Sequence, residues 1–310
     1  MFVGGYFRGI VIIMNKIKEH IIITGGAGFI GSSLARKFIQ EGFQITILDN
    51  LSTGKRSNVP DGANFIEMDA SNEGAYSALD SLEPCDAVFH LSGQSSGEGS
   101  FKDPLYDLYS HVLSTFLMLR WCHTKQVTRF IFTSSVGVYG KPDRLPVSED
   151  CPHNPTSFYG AGKSSAEKYI KIYQSLGINT TIFRLFNVYG PAQNMENKIQ
   201  GMASIYLSFM LEQVPIIVKG SLDRFRDFVY IDDLCDVWVN SYRNKVTYGK
   251  TYNLASGEKT TVKNLIDTLK KIMECPDYPT IEQSGTPGDQ FGLVGDNSRL
   301  VADLNWSAKT

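Results

Sequence analysis

Short apolar runs alternate along the chain with segments in which apolar residues recur at helical spacing. The runs have the length of buried strands, and the segments between them have the length of helices that cover a sheet. This alternation predicts an α/β fold with a parallel sheet covered on both faces. The predicted strands are residues 20–24, 43–48, 64–68, 87–90, 130–133 and 180–186, and the predicted helices are residues 32–41, 72–82, 103–125 and 158–176.

The regular alternation ends after Asn187, where prolines and glycines punctuate shorter elements. We expect a main domain over residues 15–187 and a smaller, discontinuous C-terminal substrate-binding lobe over residues 188–227 and 251–310. An apolar run at residues 228–231, followed by a helical pattern, predicts that residues 228–250 return to the main domain. The first fourteen residues precede the first strand and are interpreted as an upstream extension or a disordered tail.

A glycine-rich turn, TGGAGFIG at residues 24–31, joins the first strand to the first helix. Three of its glycines would let the backbone approach a pyrophosphate at the helix N-terminus, where N–H groups and the helix dipole favour negative charge. Asp49 ends the second strand, where a carboxylate can accept hydrogen bonds from an adenosine ribose and repel a 2′-phosphate. The pattern predicts a Rossmann-type doubly wound sheet that binds NAD in preference to NADP. The alternative is a turn whose glycines serve only to cap a helix.

Tyr159 and Lys163 lie four residues apart in a predicted helix, so they share one face. An ammonium beside a phenol lowers the pKa of the phenol and favours the phenolate, a base for proton transfer. Ser135 ends a predicted strand, at the edge of the sheet where ligands bind in open α/β folds. Its hydroxyl can hydrogen-bond a reacting oxygen while Tyr159 exchanges the proton. Taken alone, the Tyr–Lys spacing is more often a solvated helix face.

Composition narrows the class of ligand. The 310 residues contain 30 Lys and Arg against 32 Asp and Glu, which gives 30 − 32 = −2 and no basic field for nucleic acid. The apolar stretch near the N-terminus is too short to span a bilayer, so no membrane partner is expected. Five scattered cysteines without metal-ligand spacing predict reduced thiols, no metal site and a cytoplasmic protein.

Ordered motifs along the chain resemble the extended short-chain dehydrogenase/reductase family, in its nucleotide-sugar epimerase and dehydratase branch. The resemblance covers residues 20 to 306. The motifs that carry it are TGGAGFIG at 24–31, LDN at 48–50, MD at 68–69, HLSGQ at 90–94, SSVGVYG at 134–140, YGAGK at 159–163, RLFNVYGP at 184–191 and RDFVYIDD at 226–233.

The resemblance implies roles for individual residues. Ser135, Tyr159 and Lys163 would be catalytic, Ser134, Ser135, Asn187 and Arg226 would bind the substrate, and Lys163 would also hold the nicotinamide ribose. Asn187 could instead cap a turn, and Arg226 could pair with Asp227 or another acid at the surface. The residues expected to bind NAD are Gly25, Gly28, Phe29, Ile30, Gly31, Asp49, Asn50, Asp69, Ala70, Leu91, Ser92, Gly93, Tyr159 and Lys163.

Departures from the family pattern shape the functional prediction. The dehydratases of this branch place an Asp–Glu pair after the catalytic hydroxyl, where this chain has Val136 and Gly137. Relatives often carry Asn where His111 falls, and an Arg just before Gly288 where this chain has Pro287. Leu293 is expected near the sugar, where a modest side chain would leave room for an acetamido group.

These observations together predict an NAD-dependent nucleotide-sugar 4-epimerase, with a UDP-linked sugar as the expected substrate. A nucleotide-4-keto-sugar reductase or dehydrogenase with the same three residues is the nearest alternative. A non-catalytic dinucleotide-binding sensor is an alternative from another class, since the fold alone does not fix function. The resemblance also implies a homodimer in which the predicted helices 103–125 and 158–176 of two subunits form a four-helix bundle.

Overall fold

Seven parallel strands form the main sheet of the computed structural model, which describes residues 18–82, 84–285 and 290–310. Their order is β11-β6-β5-β4-β1-β2-β3, and every neighbouring pair is parallel. The predicted doubly wound parallel sheet is therefore confirmed. The strands are β1 (His20–Thr24), β2 (Gln44–Asp49), β3 (Ala63–Glu67), β4 (Ala87–His90), β5 (Arg129–Ser135), β6 (Asn179–Leu185) and β11 (Lys250–Leu254).

Helices cover both faces of this sheet, because strands buried on both sides need apolar partners on each. On one face α1 (Phe29–Gln40) packs against α7 (Ile231–Arg243), and α9 (Ser298–Leu304) packs against α7. On the other face α4 (Ser114–Thr124) packs against α5 (Phe158–Ser175). Each face buries its own apolar core, with Phe38 and Trp238 in one and Met118 and Ile170 in the other.

The helix predicted over residues 103–125 is built from three consecutive pieces. These are α3 (Pro104–Asp107), a π-helical segment (Leu108–Leu113) and α4. Asp103 caps the start, since its side chain accepts a hydrogen bond from the backbone N–H of Tyr106 at 2.9 Å. The pattern over residues 72–82 forms a 3₁₀ turn (Glu73–Tyr76) and the short helix α2 (Ser77–Asp80).

A smaller lobe follows β6, and its described residues contain three two-stranded sheets. Its apolar core includes Tyr206 of α6 and Ile266 of α8. The pairs are β7 with β10, β8 with β13 and β9 with β12. The elements are β7 (Asn187–Tyr189), α6 (Met202–Leu211), β8 (Ile216–Lys219), β9 (Phe225–Arg226), β10 (Phe228–Tyr230), β12 (Thr260–Thr261), α8 (Val262–Ile272) and β13 (Thr280–Gln283).

Two boundaries differ from the sequence-based division. The apolar strand β10 pairs with β7 and not with the main sheet, although helix α7 after it does pack on the main domain. Strand β11, which begins one residue before the segment 251–310 assigned to the lobe, is an edge strand of the main sheet in parallel register with β6. Its apolar side chains Tyr252 and Leu254 are fully buried there. The expected tail over residues 1–14 lies outside the described residues.

Candidate active site

A cavity of about 380 Å³ opens at the carboxyl ends of the main strands. It lies where the strand order reverses between β1 and β4, the place where open α/β sheets bind ligands. Its lining includes Gly25, Gly28, Phe29, Ile30, Gly31, Asp49, Asn50, Asp69, Ala70, Leu91, Ser92, Gly93, Ser134, Ser135, Tyr159, Lys163 and Asn187. The structure thus brings together every predicted site residue except Arg226.

The glycine turn wraps tightly around the start of α1. A Cβ on Gly31 would lie 2.3 Å from the carbonyl oxygen of Gly25, and Gly25 itself has a positive φ of 70°. Gly28 is the N-cap residue, with extended backbone and no side-chain cap, so the first N–H groups of α1 point toward the cavity. A cradle of backbone N–H groups that has no room for side chains suits the pyrophosphate of a dinucleotide.

Asp49 ends β2 and Asp69 follows β3, both at the adenosine end of the predicted cofactor site. The Asp49 carboxylate accepts hydrogen bonds from the backbone N–H of Ala27 at 2.9 Å and of Leu51 at 2.8 Å. Burial raises the pKa of Asp49, and these two backbone hydrogen bonds oppose the rise. The Asn50 side chain donates to Asp69 at 2.9 Å, which joins the two strand ends. Since each carboxylate oxygen has two lone pairs, both acids can also accept from a ribose or an adenine.

Tyr159 meets Ser135 because two glycines allow α5 to approach the end of β5. A Cβ on Gly160 would lie 2.5 Å from the carbonyl oxygen of Gly137. The Tyr159 phenol is hydrogen-bonded to Ser135, and the Ser135 hydroxyl also accepts from the backbone N–H of Gly137 at 3.1 Å. Burial raises the pKa of Tyr159, and the hydrogen bond with Ser135 opposes that rise.

Lys163 is buried on the same face of α5, one turn after Tyr159. Its ammonium donates to the carbonyl oxygen of Thr133 at 2.8 Å and lies 4.8 Å from the centre of the Phe132 ring. Burial lowers the pKa of Lys163 to about 7. The sequence predicted that this ammonium lowers the pKa of Tyr159, but in the structure burial dominates and the pKa of the phenol is raised.

The Ser134 hydroxyl forms a hydrogen bond within the protein. Its hydroxyl donates to Glu167 at 2.5 Å, and the side chain is buried behind the strand end. Glu167 is in turn held by Arg184, whose Nη2 lies 2.7 Å from Oε2. The hydroxyl therefore belongs to a buried network that joins α5 to β5 and β6. Because Ser134 also lines the cavity, its role in substrate binding stays a prediction.

Two predicted substrate residues occupy the lobe side. Asn187 lines the cavity, and its amide donates to the carbonyl oxygen of Asp227 at 3.1 Å. Arg226 does not line the cavity, and its Nη1 donates to the carbonyl oxygens of Phe225 at 2.7 Å and Phe291 at 3.3 Å. Leu293, expected near the sugar, is buried in the apolar core of the main domain. Thr286 to Asp289, where the family Arg is missing, lie outside the described residues.

Amide side chains of the lobe are among the cavity-lining residues that the sequence analysis did not predict. They follow Pro191 in a stretch rich in Asn and Gln, and that composition was the available signal. Lys55 bridges to this stretch by an ion pair with Glu196 at 2.7 Å, and the Ser95 hydroxyl donates to Gln200 at 2.8 Å. The amide residues of the lobe that line the cavity are Gln193, Asn194, Asn197 and Gln200.

The doubly wound sheet, the glycine cradle at a helix N-terminus and the Ser–Tyr–Lys cluster define a dinucleotide-binding fold of the short-chain dehydrogenase/reductase type. The chain belongs to the NAD dependent epimerase/dehydratase family, whose model matches residues 21–255. The resemblance found in the sequence is thereby confirmed, and so is NAD as the cofactor.

Relatives of known name agree in length and fold. A UDP-glucose 4-epimerase of Mycolicibacterium smegmatis is 30% identical over 92% of each chain. The crystal structure of a UDP-glucose 4-epimerase from Thermotoga maritima with UDP-glucose superposes with a TM-score of 0.90, at 30% identity and 94% coverage of each chain. A UDP-glucose 4-epimerase from Thermus thermophilus in complex with NAD gives a TM-score of 0.87, at 29% identity and the same coverage.

Proposed function

We propose that this protein is an NAD-dependent 4-epimerase of UDP-linked sugars. The observation that carries the proposal is the cluster of Ser135, Tyr159 and Lys163 at the end of the cofactor cavity. Two structural relatives and one sequence relative with this fold are named UDP-glucose 4-epimerase, which supports the substrate class. We assign the nucleotide half of the substrate to the amide-rich side of the cavity and Asn187.

The residues divide the work of a reversible oxidation. NAD, held by the glycine turn and Asp49, would supply a reversible hydride acceptor for C4 of the sugar. Tyr159, as phenolate, takes the proton of the 4-hydroxyl while the C4–H bond breaks, and Ser135 donates a hydrogen bond to the same oxygen. The 4-keto sugar turns over in the cavity, and the proton returns from Tyr159 to O4. The cycle consumes no net proton and leaves the cofactor as it began.

The distribution of acidic side chains around the cavity favours epimerisation over dehydration, because the described carboxylates of the lining lie away from the sugar end. Elimination of water needs a further acid or base near the sugar. The residues after Ser135 form a short 3₁₀ turn, Val136–Val138, with no ionisable group. Among the described residues that line the cavity, the carboxylates are Asp49 and Asp69, and both lie at the adenosine end.

The decisive experiment follows both the sugar and the cofactor. Purified protein with NAD is incubated with UDP-glucose, UDP-galactose and their N-acetylhexosamine counterparts, and the products are separated by chromatography. We expect interconversion of 4-epimers without lasting absorbance from NADH. Stoichiometric NADH with a 4-keto product would instead favour the reductase or dehydrogenase alternative. Binding of NAD without turnover of any sugar nucleotide would favour the sensor.

We also propose a homodimer formed through α3, α4 and α5. Large apolar side chains are exposed along these packed helices, and apolar patches of this kind mark interfaces. Ile172 on α5 is 56% exposed. Two such helical faces would form a four-helix bundle about a two-fold axis. The exposed residues are Leu105, Leu108, Tyr109, Tyr169, Ile172 and Leu176.

A charged residue on that face should separate the subunits. Ile172→Glu is expected to shift the protein from dimer to monomer by light scattering after gel filtration, because the carboxylate would lose its hydration in the interface. Ile272→Glu is the matched control, since Ile272 is 69% exposed on α8 of the lobe. If both variants keep the mass of the wild type, or the wild type is itself a monomer, the proposed interface is wrong.

We place the protein in the cytoplasm. All five cysteines are free thiols, and burial raises the pKa of Cys122 and so keeps its thiol protonated. None of the helices in residues 18–82, 84–285 and 290–310 is long and apolar enough to span a membrane. Fractionation of source cells with a specific antibody tests this, and recovery in the membrane or extracellular fraction would contradict it.

A further inference from the structure

A buried histidine and a buried aspartate lie directly behind the catalytic cluster. His111 Nε2 is 3.3 Å from Asp107 Oδ1, and the two side chains are 0% and 2% exposed. Neither residue lines the cavity, so neither touches the space where cofactor and substrate bind. The proposed reaction gives this pair no role.

A π-helical turn aims His111 at the site. The segment Leu108–Leu113 is wound more loosely than the α-helices on either side of it. Single π-helical turns inside α-helices occur frequently at functional sites. Hydroxyls one turn further along satisfy the carbonyls of the widened turn: Ser114 donates to Ser110, and Thr115 donates to His111 at 2.6 Å.

Three neighbours enclose the His111 ring. A Cβ on Gly93 would lie 2.5 Å from ring atoms Cε1 and Nδ1, and a Cβ on Gly162 would lie 3.0 Å from the His111 Cβ. The Tyr159 ring meets the imidazole edge to face, with centroids 5.2 Å apart. The imidazole is therefore in contact with the cofactor loop, the catalytic helix and the catalytic phenol at once. Both glycines are required for this fit.

Burying His111 and Asp107 lowers the stability of the core if they serve only as packing. Asp107 Oδ1 and both ring nitrogens of His111 are buried without a hydrogen bond of good geometry. Buried polar atoms in that state destabilise the fold, so a well-packed apolar residue would give a more stable core. Asp107 Oδ2 accepts a long hydrogen bond of 3.5 Å from Gln94, whose side chain lines the cavity. The arrangement links the pair to the substrate side as well.

We propose that His111 is a positioning residue for the 4-epimerase reaction, which, oriented by Asp107, holds the Tyr159 phenol and the cofactor loop at Gly93 in place from behind. This inference rests on the proposed function, because positioning is defined relative to hydride and proton transfer at that site.

The charges around the pair come from three elements. On the helix of the pair itself, Asp103 faces Asp107. From α5 come Tyr159, Lys163 and, one turn further, Glu167. At the end of β4, burial lowers the pKa of His90 to about 3, so this histidine is neutral.

Burial and then the Lys163 charge lower the pKa of His111 well below its usual value, so the imidazole is neutral too. Burial, and after it the Asp103 charge, raise the pKa of Asp107 to about 6. Above that pH, the Asp107 anion adds to the burial effect that raises the pKa of Tyr159, and it opposes the fall in the pKa of Lys163.

The first test removes the imidazole. His111→Ala should lower kcat roughly 10- to 100-fold and weaken NAD binding roughly tenfold, because small displacements of a reacting group have large effects on rate. The KM for the sugar nucleotide should stay within about threefold, since the ring does not reach the cavity. His123→Ala is the matched control, a surface histidine on α4 of the same helical segment, and should behave as wild type.

The second test removes only a charge and keeps the shape. Asp107→Asn should move both limbs of the kcat–pH profile toward acid by about half to one unit, because the pKa values of Tyr159 and Lys163 both fall without the anion. The shift should vanish below about pH 6, where Asp107 of the wild type carries a proton. A role in packing alone would change the height of the profile and not its position.

The outcomes separate this inference from the proposed function. If wild-type protein turns over no sugar nucleotide, the proposed function fails first. If the wild type is an active epimerase, and both His111→Ala and Asp107→Asn match the His123→Ala control in kcat, NAD affinity and pH profile, the positioning role is wrong. Should His111→Ala fail to fold by circular dichroism, the isosteric Asp107→Asn variant still decides, since an unshifted profile overturns the proposal.

Discussion

Replacing Tyr159 by phenylalanine should lower kcat by about a thousandfold while NAD and the sugar nucleotide still bind. The change removes one oxygen, and general acid–base catalysis by a positioned group contributes about 10²- to 10⁴-fold. Ser135 would remain to hydrogen-bond the reacting oxygen. Among the described residues, however, Ser135 has no other side-chain partner that could accept the proton of the 4-hydroxyl. The ring would still pack against His111, so the fold of the site should persist.

Initial rates of epimer formation and calorimetric binding of NAD measure the two halves of this prediction. Tyr173→Phe is the matched control, because it removes the same oxygen from a half-buried tyrosine on the same helix. A Tyr159→Phe enzyme that keeps more than about a fifth of wild-type kcat would mean that another group moves the proton.

Gly31→Ala should weaken NAD binding by roughly a hundredfold or more. The new methyl group would lie 2.3 Å from the carbonyl oxygen of Gly25 and 2.8 Å from the Cα of Gly26, so the backbone of the turn must move. Alanine favours a helix over glycine by about 1 kcal/mol, but overpacking against fixed backbone costs about 1–3 kcal/mol or more. The displaced turn can no longer present its N–H groups to a pyrophosphate.

Calorimetric titration with NAD tests this second prediction, and thermal unfolding without ligand reports the accompanying loss of stability. Gly74→Ala is the control, because a Cβ there would meet only the Asn72 side chain, at an ordinary 3.4 Å. Equal NAD affinity of Gly31→Ala and wild type would show that the turn does not carry the pyrophosphate.

Local patterns in the sequence were sufficient for two central strands of the main sheet and for the existence of the first helix. The strand over residues 20–24 and the strand over 87–90 have the predicted bounds, because a short apolar run between polar residues has few other ways to be buried. The first helix begins at Phe29, three residues before the prediction, since Gly28 caps the helix and Gly31 lies inside its first turn. Glycines that suggest a turn can also stand within a helix that packs closely on its neighbour.

Long-range partners were beyond the reach of such patterns. The apolar run at residues 228–231 indicates a buried segment but not the strand it joins, and no pattern marked Lys250–Leu254 as a strand of the main sheet. The pairing depends on where the chain crosses the sheet. The segment assigned to the main domain therefore pairs in the lobe, and the segment assigned to the lobe pairs in the main sheet. In the same way, position at the strand end pointed to Ser135, but only the fold shows that the neighbouring Ser134 hydroxyl donates to Glu167.

The sequence by itself determined which chemical groups the site contains. These are a glycine turn for a dinucleotide, and Tyr159, Lys163 and Ser135 for hydride and proton transfer. Spacing along one helix and position at a strand end are local properties, so they can be read from the order of residues. Only the tertiary structure decided the electrostatics, because burial raises the pKa of Tyr159 and the Lys163 ammonium donates to the Thr133 carbonyl. It also placed Asp107 and His111 behind the phenol, since contacts between a helix, a loop and a second helix exist only once the chain is folded.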